Sequence, residues 1–290
     1  MSAAPGRSQT LEPAATEPNR GSEFTFLPAD FERTRKLIYQ HAGINLHAGK
    51  QAMVYSRLSR RLRELGYRSA NDYLQWLEGL CGPEAAREWQ EFVNCLTTNL
   101  TSFFREDHHF PVLATELRQR KGQKTRIWCN AASTGEEPYS IAITVVETLG
   151  SQARVDVMCS DIDTKVLAQA RRGAYPIDAR GLQPELLRRY FQRGVGSNSG
   201  MIRVSPDLGR MLQFRAFNLM DAKWELGELF DIVFCRNVMI YFDVPTQRRV
   251  LEQMHRVMRP HGLLFAGHSE NFSESRDLFR LRGKTVYERI

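Results

Sequence analysis

The sequence predicts an α/β protein, with a mainly parallel, doubly wound sheet domain preceded by an all-α domain. Three observations predict it. From Phe24 to about Leu96 the apolar spacing is helical throughout, with no strand-like run. Beyond about residue 122, short apolar runs alternate with amphipathic segments, the grammar of a parallel sheet. The chain has 290 residues, 42% hydrophobic and 25% charged, which is room for about two domains and a core that needs no disulfide.

Residues 1–23 are rich in Ala, Pro, Ser and Glu without periodicity, and are expected to be a disordered tail. The next segments are four helices. One runs from Phe31 and stops at Gly43, a second runs from Gly49 and stops at Gly66, a third has Ser69 as its N-cap, and a fourth covers Arg87–Thr98. These make a helical N-terminal domain with its linker over 24–98, and leave 99–290 for the sheet domain. There, Thr125–Asn130, Arg154–Ser160, Met211–Phe217, Phe230–Arg236 and Gly262–Gly267 read as strands. Helices are expected from Pro138, from Asp163 and from Pro245, since proline in a first turn lacks only an N–H that would be orphaned anyway. Leu278–Ile290 reads as a terminal hairpin. The stretch from about Ala174 to Asp207 breaks the alternation and carries Gly181, Gly194, Gly196 and Gly200, so it is expected to be an insertion.

Composition excludes several classes. No run approaches the ~18 apolar residues of a membrane span, and the first residues lack an apolar signal-like stretch, so the cytoplasm is the expected compartment. Cys81, Cys95, Cys129, Cys159 and Cys235 form no CxxC pair and read as reduced thiols. His108 and His109 are adjacent, which fits no helical zinc motif, and no metal is expected. Residues 31–68 hold nine Lys and Arg against Glu32 and Glu64, which equals the whole net charge of +7. A localised basic surface calls for an acidic partner.

Ligands of such a sheet bind where its strands end. The first strand runs into Ala131-Ala132-Ser133-Thr134-Gly135-Glu136-Glu137, small residues that let a ligand approach the backbone. There is no GxGxxG and no GK[ST], and a Glu in the loop would repel phosphate. Glu136 is either a dipole-complementing acid or a partner for an ammonium group. The second strand ends at Asp161, placed to accept two ribose hydroxyls, while Asp163 reads as the next helix's N-cap. A ribose and an amino group without phosphates describe S-adenosyl-L-methionine. Asn218 follows the third strand and is either an adenine reader or a turn residue. The fourth ends in Cys235-Arg236-Asn237-Val238, not in the NPPY of methyltransferases that act on amines of bases or amides.

Thr97–Arg105 (TTNLTSFFR), Ala132–Ser140 (ASTGEEPYS), Ser160–Asp163 (SDID), Cys235–Phe242 (CRNVMIYF) and Gly267–Asn271 (GHSEN) together closely resemble the chemotaxis receptor methyltransferases of the CheR family over about residues 30–290. The resemblance implies a Rossmann-like S-adenosylmethionine-dependent methyltransferase domain with an inserted small antiparallel β-subdomain, behind an all-α domain. It implies methyl transfer to glutamate side chains of chemoreceptor helices, giving glutamyl methyl esters and S-adenosyl-L-homocysteine. Carried over, the cofactor contacts are Asn99, Thr101, Arg105, Glu136, Asp161, Asn218, Leu219, Cys235 and Arg236. Glu136 is to take the methionine amino group and Asp161 the ribose, with Asn218 and Leu219 beside the adenine. Arg105, Arg236 and Tyr241 are the catalytic candidates. Arg57, Arg60 and Arg63 are to form the receptor-recognition face of the basic helix, whose apolar stripe is Val54, Leu58, Leu62 and Leu65. In some members the β-subdomain captures a receptor's C-terminal pentapeptide by strand addition.

A glutamate carboxylate has a pKa of roughly 4.3, so it is ionised at neutral pH and needs no general base. Arg105 or Arg236 is placed to hold one of its oxygens, with Tyr241 donating a hydrogen bond. The residue-level alternatives are a structural ion pair for each arginine and a core aromatic for Tyr241. Two other functions compete. The basic helix alone favours a nucleic-acid methyltransferase, but the helix lacks interleaved aromatics. A non-catalytic cofactor-binding adaptor would not need Arg105, Glu136, Asp161 and Tyr241 together. The expected state is a monomer without nucleic acid.

Overall fold

A computed structural model describes residues 23–290. The expected tail lies, Glu23 apart, outside the described residues.

Four helices build the first domain: α1 (Pro28–Ala42), α2 (Gln51–Leu65), α3 (Ala70–Gly79) and α4 (Gly82–Leu96). Leu37, Ile38, Val54, Leu58, Leu62, Tyr73, Leu74, Leu77 and Phe92 interlock as its core. Leu65, expected on the apolar stripe, stands 36% exposed beside the Gly66 cap. Ser69 caps α3 by accepting from the Asp72 N–H. α4 begins five residues earlier than its apolar spacing implied, because Pro83 is well tolerated in a first turn.

The second domain runs α5 (His109–Gln119), β1 (Thr125–Cys129), α6 (Glu136–Leu149), β2 (Val155–Asp161) and α7 (Thr164–Arg172). It continues with β3 (Ala174–Pro176), α8 (Pro184–Tyr190), β4 (Phe191–Arg193), β5 (Met201–Val204), α9 (Pro206–Gly209), β6 (Leu212–Ala216) and β7 (Phe230–Cys235). Then come α10 (Val244–Val257), β8 (Met258–Ala266), β9 (Phe279–Gly283) and β10 (Val286–Arg289). The large sheet has the order β6-β2-β1-β7-β8-β10-β9. The five strands from β6 to β8 are parallel, and β10 and β9 are antiparallel. Every residue of β7 is buried, as both faces of a parallel sheet are covered by helices. β3, β5 and β4 form a separate antiparallel sheet, the inserted subdomain.

Three helices, α5, α8 and α9, lie where no helix is expected from the sequence. α5 buries Phe110, Leu113 and Leu117, residues at helical spacing, in the core of the sheet domain. The near-neutrality of the chain outside 31–68 is an average. Residues 171–215, around the small sheet, hold nine arginines against Asp178, Glu185 and Asp207.

The domains meet at the carboxyl ends of the parallel strands. The Asn45 N–H donates to the Tyr241 carbonyl at 2.7 Å, and the Asn218 side chain donates to the His41 carbonyl at 2.6 Å. The Tyr39 hydroxyl donates to Asp243 at 2.8 Å, and Gln90 donates to the Ile162 carbonyl at 2.8 Å.

Candidate active site

Where β1, β2 and β7 end, the helical domain closes over them and leaves a cavity of about 370 Å³. That is within the range of small-molecule sites, roughly 300–1,000 Å³. The sheet domain lines it with Asn130, Ser133, Glu137, Asp161, Leu219 and Arg236. The helical domain and linker add Leu46, His47, Lys50, Met53, Arg57 and Asn99.

The β1 loop turns sharply. Ser133 has φ +47° and Gly135 φ +103°. A Cβ on Gly135 would lie 2.6 Å from the Tyr175 hydroxyl and 3.0 Å from Ala170, so the position needs glycine on both counts. Asp161 accepts the Ser133 N–H at 2.8 Å and the Asp163 N–H at 2.9 Å. Burial pushes its carboxyl up to about 6, against the pull of those two N–H groups. Asp163 caps α7 by accepting from the Lys165 and Val166 N–H groups. Its other oxygen accepts from Asn99 at 2.8 Å and from Thr97 at 2.6 Å, which pins the linker to β2's end. The Asn99 amide is thereby committed, while its carbonyl accepts from Ser133 Oγ at 3.1 Å.

Of the two acids opening α6, the one that faces the cavity is Glu137. Glu136 lies outside the lining, accepts from Thr134 Oγ1 at 2.6 Å, and is pushed up by burial. The lining thus adds Glu137 to the carried-over Glu136 as an acid beside the β1 loop. Two consecutive helical positions point about 100° apart, and only the packing of α6 decides which one turns inward. Glu137 pairs with Arg236, whose side chain is 1% exposed. Arg236 also faces Glu106 at 3.4 Å and donates to the Arg105 carbonyl. Its Nη1 and Nη2 are thus engaged, while Nε has no hydrogen-bond partner among the described residues. Cys235 is fully buried behind it and does not line the cavity.

Asn218, too, has its amide spoken for: Oδ1 accepts the Met220 N–H and Nδ2 donates to His41. It brackets the two domains while its neighbour Leu219 lines the cavity. Thr101, Arg105 and Tyr241 line the cavity as well. Arg105 donates to the Leu100 carbonyl at 2.8 Å, and this is its only side-chain hydrogen bond among the described residues. The structure thus brings Asn99, Thr101, Arg105, Asp161, Asn218, Leu219, Arg236 and Tyr241 together, and leaves Glu136 and Cys235 out.

The basic helix divides. Arg57 turns inward, donating to the Leu96 carbonyl at 2.6 Å and to Thr98 at 2.9 Å, and it lines the cavity. Arg57 is half-buried, where the linker lies across α2. Arg60 is exposed, with no hydrogen-bond or ion-pair partner among the described residues. Arg63 is exposed and paired with Glu23.

The motif Gly267–Asn271 holds a neighbouring loop through Glu270. Glu270 accepts the N–H groups of Asn237 at 3.0 Å, Val238 at 2.9 Å and Met239 at 2.8 Å. It holds the loop after β7, in which Asn237 has φ +57°. A buried carboxylate with that many N–H donors is a structural clamp. The helical domain's share of the cavity had no signal, since nothing in α1 or α2 marks a residue as facing another domain.

The residues present suit S-adenosyl-L-methionine: a buried carboxylate on β2, apolar Ile162, Phe217 and Leu219 nearby, and Glu137 across the cavity. The comparisons decide the family. Residues 99–288 match the model of the "CheR methyltransferase, SAM binding domain", and residues 29–97 that of the "CheR methyltransferase, all-alpha domain". The chain belongs to the CheR methyltransferase family. It is 55% identical over 262 residues to a chemotaxis protein methyltransferase of Klebsiella aerogenes, covering 89% of each chain. It is 51% identical over 261 residues to that of Escherichia coli, covering 89% of this chain and 90% of that one. Chemotaxis protein methyltransferase 2 of Pseudomonas aeruginosa is 51% identical over 270 residues, covering 91% and 94%. The CheR chain described here is thus an S-adenosyl-L-methionine-dependent methyltransferase of chemotaxis. No helix among its described residues is long and apolar enough to cross a membrane.

Proposed function

We propose that this chain transfers the methyl group of S-adenosyl-L-methionine to glutamate side chains on the signalling helices of chemoreceptors, in the cytoplasm and as a monomer. The observation that carries the acceptor class is the charge of the cavity's outer wall. Lys50 just before α2, Arg57 on α2 and Arg105 in the linker line it, and Arg60 stands exposed on α2. A carboxylate acceptor meets that wall favourably, and an amine would not.

The bound cofactor supplies a methyl group on a sulfonium, open to in-line attack. In this reading Asp161 accepts ribose hydroxyls, and Leu219 and Phe217 flank the adenine. Asn99, whose amide is held by Asp163, offers the cofactor the backbone of a fixed linker. Glu137 and Arg236 fix the cavity floor. Arg105 takes one oxygen of the acceptor carboxylate, and Tyr241 steadies it. One oxygen stays free as nucleophile, already ionised, so no proton has to be removed. The contribution of the protein is then alignment and water exclusion. Arg60 and Arg63 meet the acidic receptor bundle, and the β-subdomain's arginines suit an acidic C-terminal peptide.

The test is transfer of label from radiolabelled S-adenosyl-L-methionine to receptor-containing membranes. Alkali-released labelled methanol, with label on the receptor band, is the expected result. Binding of the cofactor without such label would leave the family standing and remove the receptor carboxylate as acceptor.

A further inference from the structure

Leu100 is 77% exposed and Ile240 46% exposed, yet both line the cavity. The other apolar residues lining this site are buried or half-buried, Leu46 (7%) and Leu219 (8%) among them. Neither exposed side chain sits on a loose segment. The Leu100 carbonyl holds Arg105, and the preceding residue is tied to Asp163 and Ser133. Ile240 sits in a tight turn, Met239–Tyr241. Glu270 and Gln247 hold Met239 at one end of that turn, and Asn45 holds Tyr241 at the other.

We propose that Leu100 and Ile240 form an apolar collar at the cavity mouth that grips the substrate helix beside its acceptor glutamate and strips water from that carboxylate. The proposal rests on the receptor-glutamate reading above and adds a specificity element to it. The occupant is an amphipathic helix carrying both a carboxylate and flanking aliphatic residues. The carboxylate matches Lys50, Arg57 and Arg105 inside the mouth, and the aliphatic residues match the collar outside it. Two apolar side chains on held backbone, around a cationic interior, discriminate against a free glutamate, which has nothing to bury against them. The chemistry also favours a dry mouth. An anionic oxygen attacking a cationic sulfonium loses charge as it reacts, so exclusion of water helps the step.

The test is the double variant Leu100→Ser with Ile240→Ser in the full chain, with Leu281→Ser as control, since Leu281 is 58% exposed on the far strand β9. Three quantities are read: affinity for a purified receptor signalling fragment without cofactor, kcat/KM for methylation of that fragment, and cofactor affinity by calorimetry. The double variant should bind the fragment about tenfold more weakly and lose at least that factor in kcat/KM, as expected for two lost apolar contacts. Its cofactor affinity should stay within about twofold, and the control should behave as wild type. Fragment binding and kcat/KM at the wild-type level overturn the collar. So does a loss in cofactor affinity that accounts for the whole loss in rate, and so does a collar buried by self-association of the free chain in sedimentation. Failure of the wild-type chain to label the fragment overturns the receptor reading, and the collar with it. Wild-type labelling with an unaffected double variant overturns the collar alone.

Discussion

Glu137 and Arg236 form a buried ion pair on the cavity floor, joining the first turn of α6 to the end of β7. Their side chains are 9% and 1% exposed, so neither has water to fall back on. Glu106 approaches the same guanidinium from the linker side. Loss of one partner from a buried pair strands the other. Glu137→Ala is therefore expected to lower stability by about 3–5 kcal/mol. Glu136→Ala, at a partly exposed position, should cost about 1 kcal/mol or less. Denaturant titration of both variants checks this. Equal losses would show that the two acids share one environment.

Asp161 gives the site a pH dependence of known sign. Burial raises its carboxyl from 3.8 to about 6 in the folded chain. The folded state thus binds the proton more tightly than the unfolded one. Asp161's contribution to stability is greatest at acid pH and declines as pH rises from about 4 to about 6. Cofactor affinity should run the other way, because a protonated carboxyl cannot accept two ribose hydroxyls. Affinity is expected to be flat above pH 7 and to fall as pH drops through about 6. Asp161→Ala should abolish that dependence and weaken binding at least about tenfold. Calorimetric titration across pH 5 to pH 8 reads both.

Arg105 should separate catalysis from folding. It is partly exposed, and its side chain holds one backbone carbonyl. Arg105→Ala is expected to lower turnover by about a hundredfold while shifting stability by less than about 1 kcal/mol. Arg105→Lys should recover only part of the rate, since an ammonium lacks the guanidinium's fork. Turnover near wild type in the folded alanine variant would remove Arg105 from the reaction.

The arginines of α2 should fall into two classes. Arg60→Glu with Arg63→Glu is expected to raise the receptor KM several-fold, with cofactor affinity unchanged and the effect weakening at high salt. Arg57→Glu should instead weaken cofactor binding and lower stability, because Arg57 ties α2 to Leu96 and Thr98. Steady-state kinetics at two ionic strengths, with calorimetry, distinguish the classes.

Much of this protein was legible in its sequence. The change from helical to alternating spacing after about residue 122 announced a helical domain and a parallel sheet. The Gly-rich interruption near 174–207 marked the antiparallel insertion. Asp163 was readable as a cap, because a helix start imposes a local geometry. Periodicity and capping are properties of neighbouring residues, and neighbouring residues are what a sequence lists. Tertiary structure alone decided that Glu137 lines the cavity, and that Arg236 pairs with it while facing Glu106. It alone turned Arg57 inward while leaving Arg60 in solvent, and laid α1 and α2 over the strand ends as the cavity's roof. Those outcomes depend on contacts such as Asn45 with Tyr241 and Asn218 with His41, between residues far apart in the chain. Which side chain meets which across two packed domains is set by how their surfaces fit, and no local pattern encodes that.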